Sequence, residues 1–410
     1  MELRPILSTL LRHKTAAALI VLEIALSCAI ICNALFLIGN RVERLNLVSG
    51  VAEKEVVRMQ LTGIGTDDSA EALTKSDLAT LRGLPGVKAA TVTNQVPFTN
   101  SSWNSSITMV KDQKQPTLSS TVYMGEEQFI DTFGLKLVAG RNFNADEFIE
   151  WAALDAPDSK VSIPSVIITR SMADKLFPGQ NAIGKSFYSW GEDPIRIVGV
   201  VEHLVRPSEQ GGPTAHEYSM ILPIRTPYTM GGNYLLRTES GRRAEILKSA
   251  VAALERNGPN RIMLEENTKS LEDLRQEYYR QDRAMVWLLV AVIVALLVVT
   301  ALGIVGLASF WVQQRTKQIG VRRALGASRR QILRYFQTEN FLLATIGIVL
   351  GMLFAYAINQ LLMGKYELPR LPLFYLPVGA VLLWMLGQLA VYGPARKAAS
   401  VPPAVATRSA

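Results

Sequence analysis

The sequence predicts an α-helical membrane protein with four transmembrane helices plus an α+β extracytoplasmic domain of two subdomains. Three observations carry that prediction. Four uninterrupted apolar stretches, Thr15 to Ile38, Ala284 to Val312, Phe341 to Leu362 and Leu373 to Val391, are each long enough, at about 20 residues, to cross ~30 Å of hydrocarbon as a helix. Between the first and second stretches lie roughly 240 residues of ordinary mixed composition, enough to bury a core. Basic residues gather beside the spans and not on that intervening domain. Of the 410 residues 49% are apolar and only 19% charged, against roughly 25% in a soluble domain, which excludes a plain soluble enzyme, a disordered chain and a secreted disulfide scaffold.

The net charge of +8 is a topology signal. Residues 41–283 hold 28 basic and 31 acidic groups, so the excess lies elsewhere. It sits at Arg4, Arg12 and Lys14, at Arg315 to Arg334 (seven basic residues, no acidic ones), and at Arg396, Lys397 and Arg408. Lys and Arg collect in cytoplasmic loops, so four spans place both termini in the cytoplasm and the large domain in the periplasm or outside the cell. No nucleic-acid partner is expected, because the basic groups are not on a folded domain with interleaved aromatics; membrane lipids are the neighbours they imply.

Residues 1–14, with Leu3, Ile6, Leu7, Leu10 and Leu11 at helical spacing, read as an interfacial amphipathic helix. Residues 15–39 form the first span, whose apolar run of 24 residues is too long for a cleaved leader, in which about 7–15 are usual. Its Cys28 and Cys32, at i and i+4, read as packing residues. Glu23 is an intramembrane carboxylate that needs a polar partner. Asn33, ten residues on, cannot share its turn, so the partner lies on another helix or chain; a structural hydrogen bond is preferred over a substrate or proton role.

Residues 40–283 form the outer domain. "EVVRMQLTG" alternates as a strand, "TKSDLATLRGLPG" reads as a helix capped at Thr74 or Ser76, and "VKAATVTNQVPF" returns as a strand. The pattern recurs in "NYLLRTES", "RRAEILKSAVAALERNG" and "NRIMLEE". Two strand-helix-strand units can share one sheet, which gives a discontinuous subdomain over about 50–114 and 218–268 around an inserted one at about 115–217. The insert has strands in "STVYMG", "PSVIIT" and "IRIVGVV" and a helix in "SMADKLF". Residues 269–283 read as a stalk helix continuing without Gly or Pro into the second span.

Gly179 to Ser186 matches the phosphate-loop pattern, but a helix precedes it and strand-like "SFYSW" follows, the reverse of the context a phosphate cradle needs. It reads as a turn. His13, His203 and His216 form no metal motif by spacing; Glu202-His203 and His216-Glu217 would need to fold together to bind a metal, and they read as solvated loop residues. No catalytic residue, bound cofactor or metal ligand is therefore assigned, and the chain reads as a transmitter or binder and not as an enzyme.

Spans follow at 284–312, 338–362 and 373–392, with a cytoplasmic loop at 313–337 and a tail at 393–410. In the third span Gly347, Gly351 and Ala355 form a ladder of small residues that fits either packing within one chain or a subunit contact. The loop, "QQRTKQIGVRRALGASRRQILRYFQ", mixes apolar faces with paired basic residues and reads as a docking helix for a cytosolic partner.

Within it, "RTKQIGVRRALGAS" resembles the R-x-x-E-I-G-x-R-R-A-L-G-A signature of ABC transporter permeases of the MacB/FtsX superfamily. The tail "GPARKAASVPPAVA" is similar to that family's P-A-R-x-A-A-x-x-x-P-x-x-A ending. "GLKLVAGRNF", "LFPGQNAIGKSF" and "RIVGVVEHL" resemble segments of its periplasmic core domain. The resemblance implies a permease subunit in a bacterial cytoplasmic (inner) membrane, with no fused ATPase domain. It would work with cytosolic ABC ATPase subunits that use ATP and Mg, with a second permease subunit in a homo- or heterodimer, and with a periplasmic adaptor in some members. It implies efflux or extraction by mechanotransmission, with ATPase coupling carried by Gln318, Ile319, Gly320, Arg322, Arg323, Ala324, Leu325, Gly326 and Ala327. Gln318 stands where the family usually has Glu. The alternative is a membrane-anchored regulatory or binding module that controls a cell-wall enzyme or adaptor without transporting anything.

Overall fold

In the computed structural model, residues 14–64, 67–209, 216–258, 261–366 and 370–402 are described. The amphipathic segment 1–13 and Arg408 lie outside them. Two compact units result, one of Met1–Asn46 with Gln281–Ala410 and one of Leu47–Arg280.

The chain starts in α1 (Lys14–Leu45) and then enters the outer domain through β1 (Val56–Gly63), α2 (Ala70–Arg82) and β2 (Ala89–Thr93). Next come β3 (Asn104–Ile107), β4 (Leu118–Met124), α3 (Phe129–Phe133), β5 (Leu137–Gly140), β6 (Ile149–Glu150) and α4 (Trp151–Asp155). They are followed by β7 (Ser165–Thr169), α5 (Arg170–Leu176), β8 (Ser186–Phe187), β9 (Ile195–Val201), β10 (Ser219–Leu222) and β11 (Ile224–Arg225). The domain closes with β12 (Asn233–Arg237), α6 (Arg243–Asn257), β13 (Arg261–Met263), β14 (Lys269–Ser270) and α7 (Leu271–Tyr278).

The first sheet has the order β13-β1-β12-β2, antiparallel throughout, with β14 also on β1. It interleaves the two strand-helix-strand units, β1-α2-β2 and β12-α6-β13. The cause is periodicity: Val57, Met59 and Leu61 alternate along β1, and they meet Leu78 and Leu81 of α2 and Ile246, Ala250 and Leu254 of α6 in one core. Arg58 and Gln60 belong to the other face of β1. Helix α2 starts at Ala70, before the expected cap; Thr74 lies inside it and returns its hydroxyl to the Ala70 carbonyl at 2.7 Å.

The second sheet runs β3-β4-β10-β7-β9-β5 with β8 on β9. Its β4–β10 and β7–β9 pairs are parallel. Val122, Val166, Ile168, Ile197 and Met220 pack on Met172 and Leu176 of α5. The sheet draws on 104–222, a wider stretch than 115–217, because β3 ("NSSI") is polar and announces itself only by pairing with β4.

The expected continuous stalk is interrupted. Tyr279 leaves helical geometry (φ −92°, ψ 13°) between α7 and α8 (Arg280–Gln314). Its ring is buried against Phe98 (6.1 Å) and Tyr278 (4.9 Å), so side-chain packing sets the break, with no Gly or Pro involved.

After α8 come α9 (Thr316–Ala324), α10 (Arg329–Tyr366) and α11 (Tyr375–Ser400). Four helices, α1, α8, α10 and α11, are long and apolar enough to cross a membrane. Ile24, Cys28, Ile31, Ile304, Ala344, Ile348 and Leu383 form their shared core. At one end Asp282, near the start of α8, pairs with Arg41 and Arg44 from the last turns of α1. The helices extend beyond the expected spans: α1 runs to Leu45, past residue 39. The loop 313–337 holds α9 and the first turns of α10, and the tail begins as helix, with α11 running on through Pro394 to Ser400.

Candidate functional site

The segment after α8 is built around a small apolar core of its own. Val312 of α8, Ile319 of α9, Ile332 and Phe336 of α10, and Ala395, Ala398 and Ala399 of α11 are buried together. Thus the two sequence motifs that lie far apart in the chain, around Ile319 and around Ala395, are the two halves of one packing unit.

The expected coupling residues divide by face. Ile319 and Gly320 point into that core. Arg323 turns toward α11, where its guanidinium donates to the carbonyls of Ala399 (2.6 Å) and Val401 (3.4 Å). These sit at a helix C-terminus, where carbonyls lack intrahelical partners and a cation is favoured. Gln318, Arg322, Ala324, Leu325 and Gly326 are exposed, and Ala327 is half-buried. Arg322 lies over the Tyr335 ring at 5.1 Å, and Leu325 is 83% exposed. Gly326 adopts φ +97°, a left-handed turn that ends the segment before Ser328 opens α10.

Val321, also exposed, was not assigned from sequence; its signal was the spacing of Gln318, Val321 and Leu325 at i, i+3 and i+7, one helical face. The outer face of α9 is thus apolar and basic, on a helix anchored from beneath.

Behind it stands an unassigned pair. Arg315 donates to both carboxylate oxygens of Glu339 at 3.0 and 2.9 Å, buried, with the guanidinium over the Trp311 ring at 5.5 Å.

The ladder on α10 meets α1 of the same chain. A Cβ on Gly347 would stand 2.8 Å from Ile24 Cβ, and one on Gly351 2.5 Å from Cys28 Cβ. Ala355 is fully buried there, and its carbonyl accepts from Asn33 Nδ2 at 3.2 Å. Glu23 sits against Gly303 of α8, where a Cβ would approach Oε2 to 2.4 Å. No hydrogen bond to Glu23 is formed among the described residues; its carboxylate packs against the Gly303 backbone. Within the span a polar link between α1 and α8 comes from Ser27 and Thr300, whose hydroxyls are 2.8 Å apart.

In the outer domain the phosphate-loop lookalike is a turn between α5 and β8. Gly184 spends its amide on the Ile197 carbonyl (2.9 Å), and Lys185 lies over the Phe177 ring at 4.7 Å. His203 Nδ1 and Glu217 Oε1 come together at 2.9 Å, whereas Glu202 pairs with Lys136 (2.8 Å). Among the described residues no group of three His, Cys, Asp or Glu side chains could hold a metal ion.

The sequence profile of the MacB-like periplasmic core domain matches residues 18–254, more than half of the chain. The chain belongs to the MacB/FtsX permease family. The profile of the FtsX-like permease C-terminal region matches residues 290–403, which contain α9 and its packing partners. Among relatives, the ABC transporter permease YvrN of Bacillus subtilis is 26% identical over 70% of this chain and 69% of its own length. The macrolide export ATP-binding/permease protein MacB of a Shewanella species is 27% identical over 89% of this chain and 54% of its own. That of Chromobacterium violaceum is 25% identical over 70% and 42%. This MacB/FtsX chain therefore spans about half the length of those MacB relatives. Among solved structures it is similar to the extracellular domain of the transporter YknZ (18% identity, TM-score 0.30, 50% of this chain and 99% of that one). It is also similar to the periplasmic region of MacB from Actinobacillus actinomycetemcomitans (18%, TM-score 0.32, 56% and 94%). As a member of this family the chain is an ABC-type membrane permease with four apolar helices.

Proposed function

We propose that this chain is the permease subunit of an ABC transporter in a bacterial inner membrane. It couples ATP hydrolysis by a separate cytosolic ATPase to motion of its outer domain, and exports or extracts substrate by mechanotransmission. The observation that carries this reading is the two-sided α9. Its inner face is fixed by Ile319 and Arg323, and its outer face presents Gln318, Val321, Arg322 and Leu325 to the cytosol. A small apolar patch ringed by basic groups suits a groove on a protein partner, and being fastened to α8, α10 and α11 it passes a push to the spans. ATP and Mg belong to the partner; a second permease subunit completes the pair, and an adaptor on the far side is compatible with the large outer domain.

The test is an affinity pulldown of the tagged full chain from native membranes, beside Arg322→Glu and Leu325→Glu, read by mass spectrometry and ATPase assay. A cytosolic ATPase recovered with wild type alone supports the reading, and the co-purifying permease identifies the pair. Equal recovery with all three forms, or no ATPase at all, overturns it in favour of the regulatory alternative.

A further inference from the structure

Buried cations normally come with a carboxylate. Arg261 obeys the rule, with Asp77 facing it and Tyr234 (2.7 Å) and Asn257 (2.9 Å) completing the carboxylate's bonds. Arg58 breaks it. Only 4% exposed on β1, it donates from Nε to Asn233 Oδ1 (2.8 Å) and from Nη2 to Gln60 Oε1 (2.7 Å), both neutral amides. Its Nη1 has no partner among the described residues, and no carboxylate pairs with it. Burial without a counter-ion lowers its pKa to about 10.

This guanidinium lines a groove of about 670 Å³ between the two sheets of the outer domain, a size suited to a ligand of a few residues. Among the described residues that line it none is acidic, and Arg58 is the single charged group. The walls are preformed: Gln95 ties itself to the Val122 carbonyl (2.8 Å) and the Trp103 amide (2.7 Å), and Asn94 bonds the Met124 amide (3.0 Å). Trp103, 38% exposed, supplies an aromatic surface and is backed by Trp151 at 6.0 Å and Trp190 at 6.3 Å. A second buried guanidinium, Arg206, is held behind the groove by Thr121 (3.0 Å) and Asn104 (3.1 Å), again without a carboxylate, and adds positive potential.

We propose that this groove binds a peptide carboxylate, with the Arg58 guanidinium as its counter-ion and Trp103 against the neighbouring apolar side chain. A guanidinium whose Nη1 still has donors to give makes a charge-assisted bond to a carboxylate, and the absence of lysines or further cations in the lining disfavours a polyanion. The site is independent of the ATPase reading, since ligand capture needs no nucleotide.

The test is titration calorimetry on the full chain in detergent without nucleotide. The probes are N-acetyl-Ala-Ala-Phe with a free carboxyl end, the same peptide amidated, amidated N-acetyl-Ala-Glu-Phe, and inorganic phosphate. At least one carboxylate peptide should bind ten-fold or more tighter than the neutral amide, and which one does so tells a chain end from an acidic side chain. Arg58→Gln should abolish the preference. Gln60→Glu, which places an internal carboxylate beside the guanidinium at the loss of a surface bond to the Gly231 carbonyl, should abolish it in a protein whose Tm is kept. Equal binding of the neutral amide, no carboxylate binding, unchanged affinity in Gln60→Glu, or phosphate binding as tight as the peptide each overturns the proposal.

Discussion

Arg315 and Glu339 form a two-bond ion pair that is almost wholly out of water, joining the turn between α8 and α9 to α10. Breaking such a pair from one side strands a charge, at about 3–5 kcal/mol. Glu339→Ala should therefore lower the Tm of the purified chain sharply, while the double change Arg315→Met/Glu339→Leu recovers most of the loss. A double variant no more stable than Glu339→Ala would show that the pair does something other than neutralise itself.

The adjacent arginines of α9 should separate cleanly. Arg323→Ala removes the clamp on the α11 carbonyls and should cost about 1–3 kcal/mol. Arg322→Ala touches an exposed ring stack and should stay within about 0.5 kcal/mol. Thermal unfolding of both in the same detergent measures the contrast; equal losses would contradict the division of faces.

Small residues on α10 are there for α1. Gly351→Ala would push a methyl to 2.5 Å from Cys28 Cβ and 2.6 Å from the Ala25 carbonyl, so about 1–3 kcal/mol of overpacking is expected. Because the contact is inside one chain, the fall in Tm should be the same at every protein concentration. A fall that vanishes on dilution would move the ladder to a subunit interface.

Glu126 gives the outer domain a pH dependence of unusual sign. Burial raises its pKa from 4.5 to about 7, with the Arg82 guanidinium pulling the other way. The folded state then binds the proton more tightly than the unfolded one, so its contribution is fullest below pH 4.5 and is lost as pH rises through 7. Glu126→Gln should gain on wild type by ~1–3 kcal/mol between pH 5 and pH 8, read as the difference in Tm. A constant difference across that range would contradict it.

Where the sequence was legible, one rule acted alone. The strand "IRIVGVV" is β9 to the residue, because an apolar β-branched run has no other use. The interleaved sheet was legible because β1, α2 and α6 each keep their own period. What escaped needed a distant partner. Nothing local says which of two neighbouring arginines turns inward; that depends on α11, 76 residues further on. Glu339 sits where an apolar run begins and resembles a flanking charge until Arg315 is seen opposite it. Arg58 occupies the polar beat of an alternating strand and looks solvated, whereas it is buried between Asn233 and Gln60.

On the coupling proposed above, the long α10 has a mechanical meaning. Its 38 residues form one helix of ~57 Å, beginning in the same packing unit as α9. A tilt of ~5° at its base would sweep the far end through ~5 Å. The path through α8 is different in kind, because the chain leaves helical geometry at Tyr279, just before that helix starts. Under the proposed coupling, one route out of that packing unit is therefore a crowbar and the other a crank.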